Sequence, residues 1–125
     1  MTATKETDLE NLKIIVEFCE KITAAGLNFA DEKKEFDKHE MYSDVLAFYI
    51  LQIGETAKKL SQDFIEENPQ IAWSEVRGMR NMLVHNYGSV DYLQVWLTVK
   101  NDIPKLENFC KNKIKTIEKE IKENT

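Results

Sequence analysis

A chain of 125 residues is long enough for one domain with a real core and too short for two ordinary ones, so a single domain over 1–125 is expected. With 42% hydrophobic and 31% charged residues, four glycines and two prolines, the composition is that of a folded helical protein and leaves little room for disorder beyond the ends. A net charge of −5 argues against an extended basic surface that would bind nucleic acid nonspecifically, so any contact with nucleic acid must be local.

Thr7-Asp-Leu-Glu10 reads as a capping box, and Leu9, Leu12, Val16, Cys19 and Ile22 recur at helical spacing until Gly26 supplies a stop. Residues 27–38 are polar and interrupted, a connection with Phe29 and Phe36 as isolated anchors. A second capping-box pattern, Asp37-Lys-His-Glu40, starts the longest predicted helix. Leu46, Tyr49, Ile50, Ile53, Ala57, Leu60 and Phe64 form its stripe, and Asn68-Pro69 ends it. Phe48 and Leu51 project to another side, in line with Glu55, so this helix needs cover from two directions: a partner surface or another helix of the same chain. A third helix is predicted from about Trp73 toward His85, with Val76, Met79 and Leu83 inward and Gly88-Ser89 breaking it. Asp91 caps a fourth carrying Tyr92, Val95, Trp96 and Val99. Asn101-Asp-Ile-Pro104 marks a boundary, and a fifth helix follows with Leu106, Phe109, Cys110, Ile114, Ile117 and Ile121 as its stripe. No period-two pattern, repeat, Gly-rich phosphate loop or zinc spacing occurs, so no metal or cofactor is implied. The expected fold is all-α, an up-and-down bundle of four to five helices.

The longest apolar run, Val45 to Ile53, falls well short of the roughly 20 residues that cross a bilayer, and the N-terminus lacks a basic-then-apolar signal pattern. No membrane association and a cytoplasmic location are expected. Cys19 and Cys110 lie on apolar stripes with no companion ligands, as buried thiols do.

The only two arginines, Arg77 and Arg80, precede one of the only two histidines in Arg77-Gly-Met-Arg-Asn-Met-Leu-Val-His-Asn-Tyr87. Guanidinium forks suit phosphate oxygens and imidazole exchanges a proton near neutrality, so the pairing points to phosphoester chemistry. On one continuous helix Arg80 and His85 would stand about 140° apart. For both to address one phosphate, the helix must end or distort near Val84, or the groups must meet across a twofold dimer. If they converge, His85 serves as general base or acid while an RNA 2′-hydroxyl attacks its own phosphorus, and Arg80 stabilises the transition-state oxygens. Asn81 could orient His85 or donate to phosphate, and Tyr87 could hydrogen-bond or stack. The plain alternative is that Arg and His near a helix end merely satisfy carbonyls.

Glu55 is open between two roles: pairing with Arg77 or Arg80 or holding His85 at a dimer cleft, and a solvated position with Lys59 one turn on. His39 reads as solvent-facing. Lys58, Lys59 and the lysines from Lys105 to Lys122 could attract RNA, but interleaved glutamates fit a solvated face. Trp73, Trp96 and Tyr92 read as core.

The order Arg80-Asn-x-x-x-His85-x-Tyr87 resembles the Arg-x4-His-x-Tyr motif of the HEPN superfamily, specifically the HepT-like toxins of minimal nucleotidyltransferase/HEPN toxin–antitoxin modules. Ile53-Gly-Glu-Thr-Ala-Lys-Lys-Leu60 is similar to the family's Ile-Gly-Glu-Ala segment, and Trp73, Val90-Asp91, Trp96 and Pro104 stand in the family's order. Ala72 replaces a common proline, and Gly88-Ser89 a common aromatic. The resemblance implies a five-helix homodimer of the type II/VII-like systems with Arg80 and His85 catalytic in an interfacial cleft. It further implies metal-independent cleavage of tRNA or mRNA, and a nucleotidyltransferase antitoxin that transfers AMP to Tyr87. Negative charge added there would repel RNA and occupy the arginine. Two rival readings remain: a non-catalytic nucleotide- or substrate-binding subunit of a minimal nucleotidyltransferase, and a purely structural dimerisation domain.

Overall fold

The structure, a computed structural model, describes residues 2–26, 40–83 and 90–124. Expectations that fall on 27–39 and 84–89, including the connection with Phe29 and Phe36, the box residues Asp37 to His39 and the break at Gly88-Ser89, lie outside the described residues.

Helix α1 spans Thr2–Gly26 and α2 Glu40–Ala57. Three short helices follow: α3 Gln62–Glu67, α4 Trp73–Arg77 and α5 Met79–Leu83. Helix α6, Tyr92–Leu97, passes through a π-helical segment, Thr98–Asp102, into α7, Ile103–Glu123. No β-strand occurs among the described residues. Helix α1 packs along both α2 and α7, while α4, α5 and α6 lie against α2. The architecture is the expected all-α bundle, and no described helix is long and apolar enough to cross a membrane.

Burial follows the predicted stripes. Leu12, Val16, Cys19 and Ile22 of α1 meet Leu46, Ile50 and Ile53 of α2 and Leu106, Cys110 and Ile117 of α7 in one core. Both thiols are reduced and buried, and burial pushes the Cys110 thiol up to about 12. Cys19 is pushed up as well, first by burial and then by Cys110 beside it.

Besides the split at Gly78 of the single third helix expected from Trp73, three boundaries differ from expectation. Helix α1 begins at Thr2, so Thr7 lies inside it and the predicted box is not its start. The box aspartate is buried and works across the fold instead: Ser61 donates its backbone N–H (2.8 Å) and its Oγ (2.6 Å) to the Asp8 carboxylate. Ser61 Oγ in turn accepts from Phe64 N at 3.1 Å, capping α3. That contact breaks the long second helix at 58–61, where an unbroken run to Glu67 was expected. Third, α6 and α7 are not separated by a turn. The chain stays helical across Asn101-Asp-Ile-Pro104, with Pro104 in the first turn of α7, where its missing N–H costs nothing.

Asn68 closes α3 as predicted. Its buried Nδ2 donates to Phe64 O (2.8 Å), and its own carbonyl accepts from Trp73 Nε1 (2.8 Å), which fixes the turn into α4. Trp73 is core, whereas Trp96 and Tyr92 are half-buried. Lys100 lies 5.0 Å from the Trp96 ring centre, and the Tyr92 hydroxyl donates to Asp44 Oδ1 at 3.2 Å.

Candidate active site on the α4–α5 segment

Gly54 determines how close the arginine-bearing helices come to α2. A Cβ at this position would stand 2.9 Å from the Val76 carbonyl oxygen, inside the contact limit for carbon, so only glycine lets α4 lie this near. This is the physical content of the Ile53-Gly-Glu55 motif. One turn on, Arg77 reaches back across the same contact, and its Nε donates to the Ala57 carbonyl at 3.4 Å. It supplies a donor and a positive charge at the C-terminus of α2, where carbonyls lack intrahelical partners.

Gly78 then separates α4 from α5. Its N–H donates to Ser74 O (3.0 Å) and its carbonyl accepts from Asn81 N (2.9 Å), so one helical turn hands over to the next without a loop. Val76, Met79 and Leu83 anchor the pair in the core, as the periodicity predicts. Arg80 lies in α5 between two of those anchors. Asn81, beside it, is exposed.

At the end of α5 the Leu83 carbonyl accepts from Asp91 N at 2.8 Å. In a helix that ran on, this carbonyl would receive the amide four residues later. Asp91 is doubly engaged, because its Oδ1 also accepts from Gln94 N (3.0 Å) and caps α6 as predicted. Asp91 is thereby clasped against Leu83 of α5, with Val90 packed on the core. His85 and Tyr87 belong to the seven residues between Leu83 and Asp91 and lie outside the described residues, as does the side chain of Arg80. His39 also lies outside them. The sequence marks Asp91 as a cap but carries no signal for its second bond, which joins two elements.

Glu55 is exposed at the start of the last turn of α2, and its carboxylate pairs with Lys58 Nζ at 3.1 Å, rather than with Lys59 one turn on. On the same stripe of α2, Met41, Val45 and Phe48 are exposed, Phe48 by 54%. Leu93 and Leu97 of the neighbouring α6 are exposed too. Leu51, expected on this second face, is instead partly buried against the core. The second apolar side of α2 thus exists and is left uncovered by the described residues.

The family described as Ribonuclease HepT-like matches residues 9–112. The chain belongs to this family, within the HEPN superfamily. It is 34% identical over 101 residues to "Putative RNase MJ1380" of Methanocaldococcus jannaschii, covering 79% of this chain and 83% of that one. It is 35% identical over 103 residues to "Probable ribonuclease HepT" of Thermococcus cleftensis, covering 82% and 92%. A third relative, "Putative RNase MJ0127" of M. jannaschii, is 32% identical over 115 residues, covering 92% and 82%. No solved structure matches the chain significantly.

Proposed function

We propose that this protein is a metal-independent endoribonuclease toxin that cuts tRNA or mRNA as a homodimer and is silenced by a nucleotidyltransferase antitoxin. One observation carries the reading: in a chain of the HepT-like family, Arg80 stands on a helix whose last carbonyl is clasped to Asp91, and His85 and Tyr87 fall between the two ends of the clasp. The reading requires Arg80 and His85 to converge, which one continuous helix through both would prevent.

In the proposed reaction His85 takes the proton of an RNA 2′-hydroxyl, whose oxygen attacks the adjacent phosphorus. The bond to the 5′-oxygen breaks and that oxygen takes up a proton, leaving a 2′,3′-cyclic phosphate and a 5′-hydroxyl. Arg80 stabilises the charge gathering on the non-bridging oxygens, and Asn81 orients the imidazole or the phosphate. A twofold dimer supplies a second histidine, so base and acid can come from different subunits. The exposed Met41, Val45 and Phe48 stripe, together with Leu93 and Leu97, supports such an interface. Its line on α2 ends at Glu55, beside the glycine that seats the arginine segment. Arg77, held on the Ala57 carbonyl, supports the frame of the site.

Cleavage of RNA in EDTA tests the assignment. Arg80→Ala and His85→Ala should each lower the rate by about 100-fold or more. If both variants cleave like the parent, the catalytic assignment is wrong.

The net charge of −5 favours a second reading, a non-catalytic subunit that binds nucleotide for a nucleotidyltransferase. Under the toxin reading, protein co-produced with such an enzyme gains mass in units of AMP, and Tyr87→Phe abolishes the gain. An unchanged mass together with no cleavage favours the second reading.

A further inference from the structure

Away from the α4–α5 segment, a groove runs between α7 and the turn that joins α3 to α4. Helix α7 forms one wall with Lys105, Asn108, Asn112, Lys113 and Thr116, spaced so that all line the same side. Gln70 and Ile71 form the other wall. Phe109 lies half-buried among them, held by Trp73 (5.8 Å between ring centres) and Phe64 (6.5 Å), both meeting it edge-on. In a protein with 22 acidic residues, no carboxylate among the described residues lines this groove. Its lysines are not held by carboxylates, and neither are Lys115 and Lys119 of α7, among the described residues. Lys5, Lys13 and Lys111 are tied to Glu120, Glu118 and Glu107 around the rest of α7, whereas Lys105 and Lys113 have no carboxylate partner among the described residues. Two free ammonium groups about 12 Å apart along the helix, three side-chain amides and an anchored aromatic ring are the parts that hold a nucleic-acid backbone and touch unpaired bases.

We propose that this groove binds a short stretch of single-stranded RNA outside the cleavage site, an inference that rests on the ribonuclease reading and names where the substrate is held. Lys105 and Lys113 contact phosphates, while Gln70, Asn108 and Asn112 offer both donors and acceptors to base edges, which a duplex would keep paired. The segment is short because the charge reverses at one end. The adjoining pocket shares Gln70, Ile71 and Lys105 but adds Glu75 and Asp102, which repel a continuing backbone. The groove therefore acts on substrate affinity and leaves the bond-breaking step untouched.

The test uses His85→Ala protein, which binds without cutting, and a fluorescein-labelled oligouridine titrated over a range of salt. The paired change Lys105→Gln with Lys113→Gln should weaken binding several-fold at low salt and flatten the log–log salt slope by about 1.4, roughly 0.7 per lost phosphate contact. Asn112→Asp, which adds a carboxylate without removing packing, should weaken it similarly. Lys58→Gln with Lys59→Gln, at the far end of α2, should change neither quantity. In the cleaving parent the Lys105 and Lys113 changes should raise KM and leave kcat alone. Unchanged affinity and slope overturn the proposal. So does an equal loss in the Lys58 and Lys59 control, or equal binding of polyglutamate or of duplex RNA. Oligouridine binding that depends on the groove, in a parent that never cleaves RNA, would retain the groove and reject the nuclease.

Discussion

Gly54 is a single hydrogen where any other residue would place a carbon, and the position of the arginine segment depends on it. A methyl group there meets a backbone oxygen rather than the end of a pliable side chain, so the strain must be taken up by moving α4. Gly54→Ala should cost about 1–3 kcal/mol by overpacking, seen as a lower urea midpoint with an unchanged slope. Because α4 carries Arg77 and leads into α5, the same variant should lose cleavage out of proportion to its loss of fold. Activity retained at full level in a destabilised Gly54→Ala protein would show that the seating of α4 does not matter to the site. Arg77 shows the converse. Sequence marks it only as a rare guanidinium near a histidine, and the structure gives its Nε to the end of another helix.

At the level of the helix, α1 and α7 carry the two buried thiols, Cys19 and Cys110. Each has a pKa raised in the folded state from the ordinary 9.0, Cys110 to about 12, because burial disfavours the thiolate. A raised folded value means that the native state holds protons the unfolded chain releases. Stability is thus fully present below pH 9.0 and is lost as pH climbs from there toward about 12. Replacing both, Cys19→Ala with Cys110→Ala, should flatten the decline in urea stability above that pH, even though the small cavities lower stability at every pH. An equally steep alkaline decline in the double variant would contradict the burial argument. Helical periodicity made the buried faces of α1 and α7 legible, since the stripes of both helices are regular and unbroken, but not that the two helices pack on each other. It made the second helix legible only in outline. Nothing local to Lys58-Lys59-Leu60-Ser61 ends a helix, and the break is set by Asp8, a residue 53 positions away. Long-range polar contacts of that kind leave no periodic trace. Arg80, His85 and Tyr87 stand out in the sequence by their fixed order, whereas the clasp between Leu83 and Asp91 uses only backbone atoms and has no residue signature.

For the whole molecule, the exposed stripe of α2 and α6 is the feature that asks for a partner. Met41, Val45, Phe48, Leu93 and Leu97 stand on neighbouring helices, and a patch of this kind on a lone chain is a candidate contact surface. Phe48→Asp should convert the proposed dimer to a monomer by light scattering or sedimentation, with a near-native thermal transition and little cleavage. A Phe48→Asp protein that stays dimeric would move the interface elsewhere. The acidic balance of the chain bears on the same scale. With a net charge of −5, long-range attraction cannot bring RNA to the surface, so recognition falls to short-range sites where carboxylates are scarce.

The π-helical segment at Thr98–Asp102 has a consequence for how this chain tolerates insertion and deletion. A wide turn of this type holds one residue more than regular winding needs. Deleting a residue there would let Tyr92 to Glu123 wind as a single uniform rod, with the parts before and after it keeping their facing to within a few tens of degrees. Val95 would stay in the interior together with Leu106 and Cys110. The wide turn thus absorbs one surplus amino acid without turning either half of the rod, and an alignment gap among relatives at this point would signal a lost bulge rather than a rotated surface.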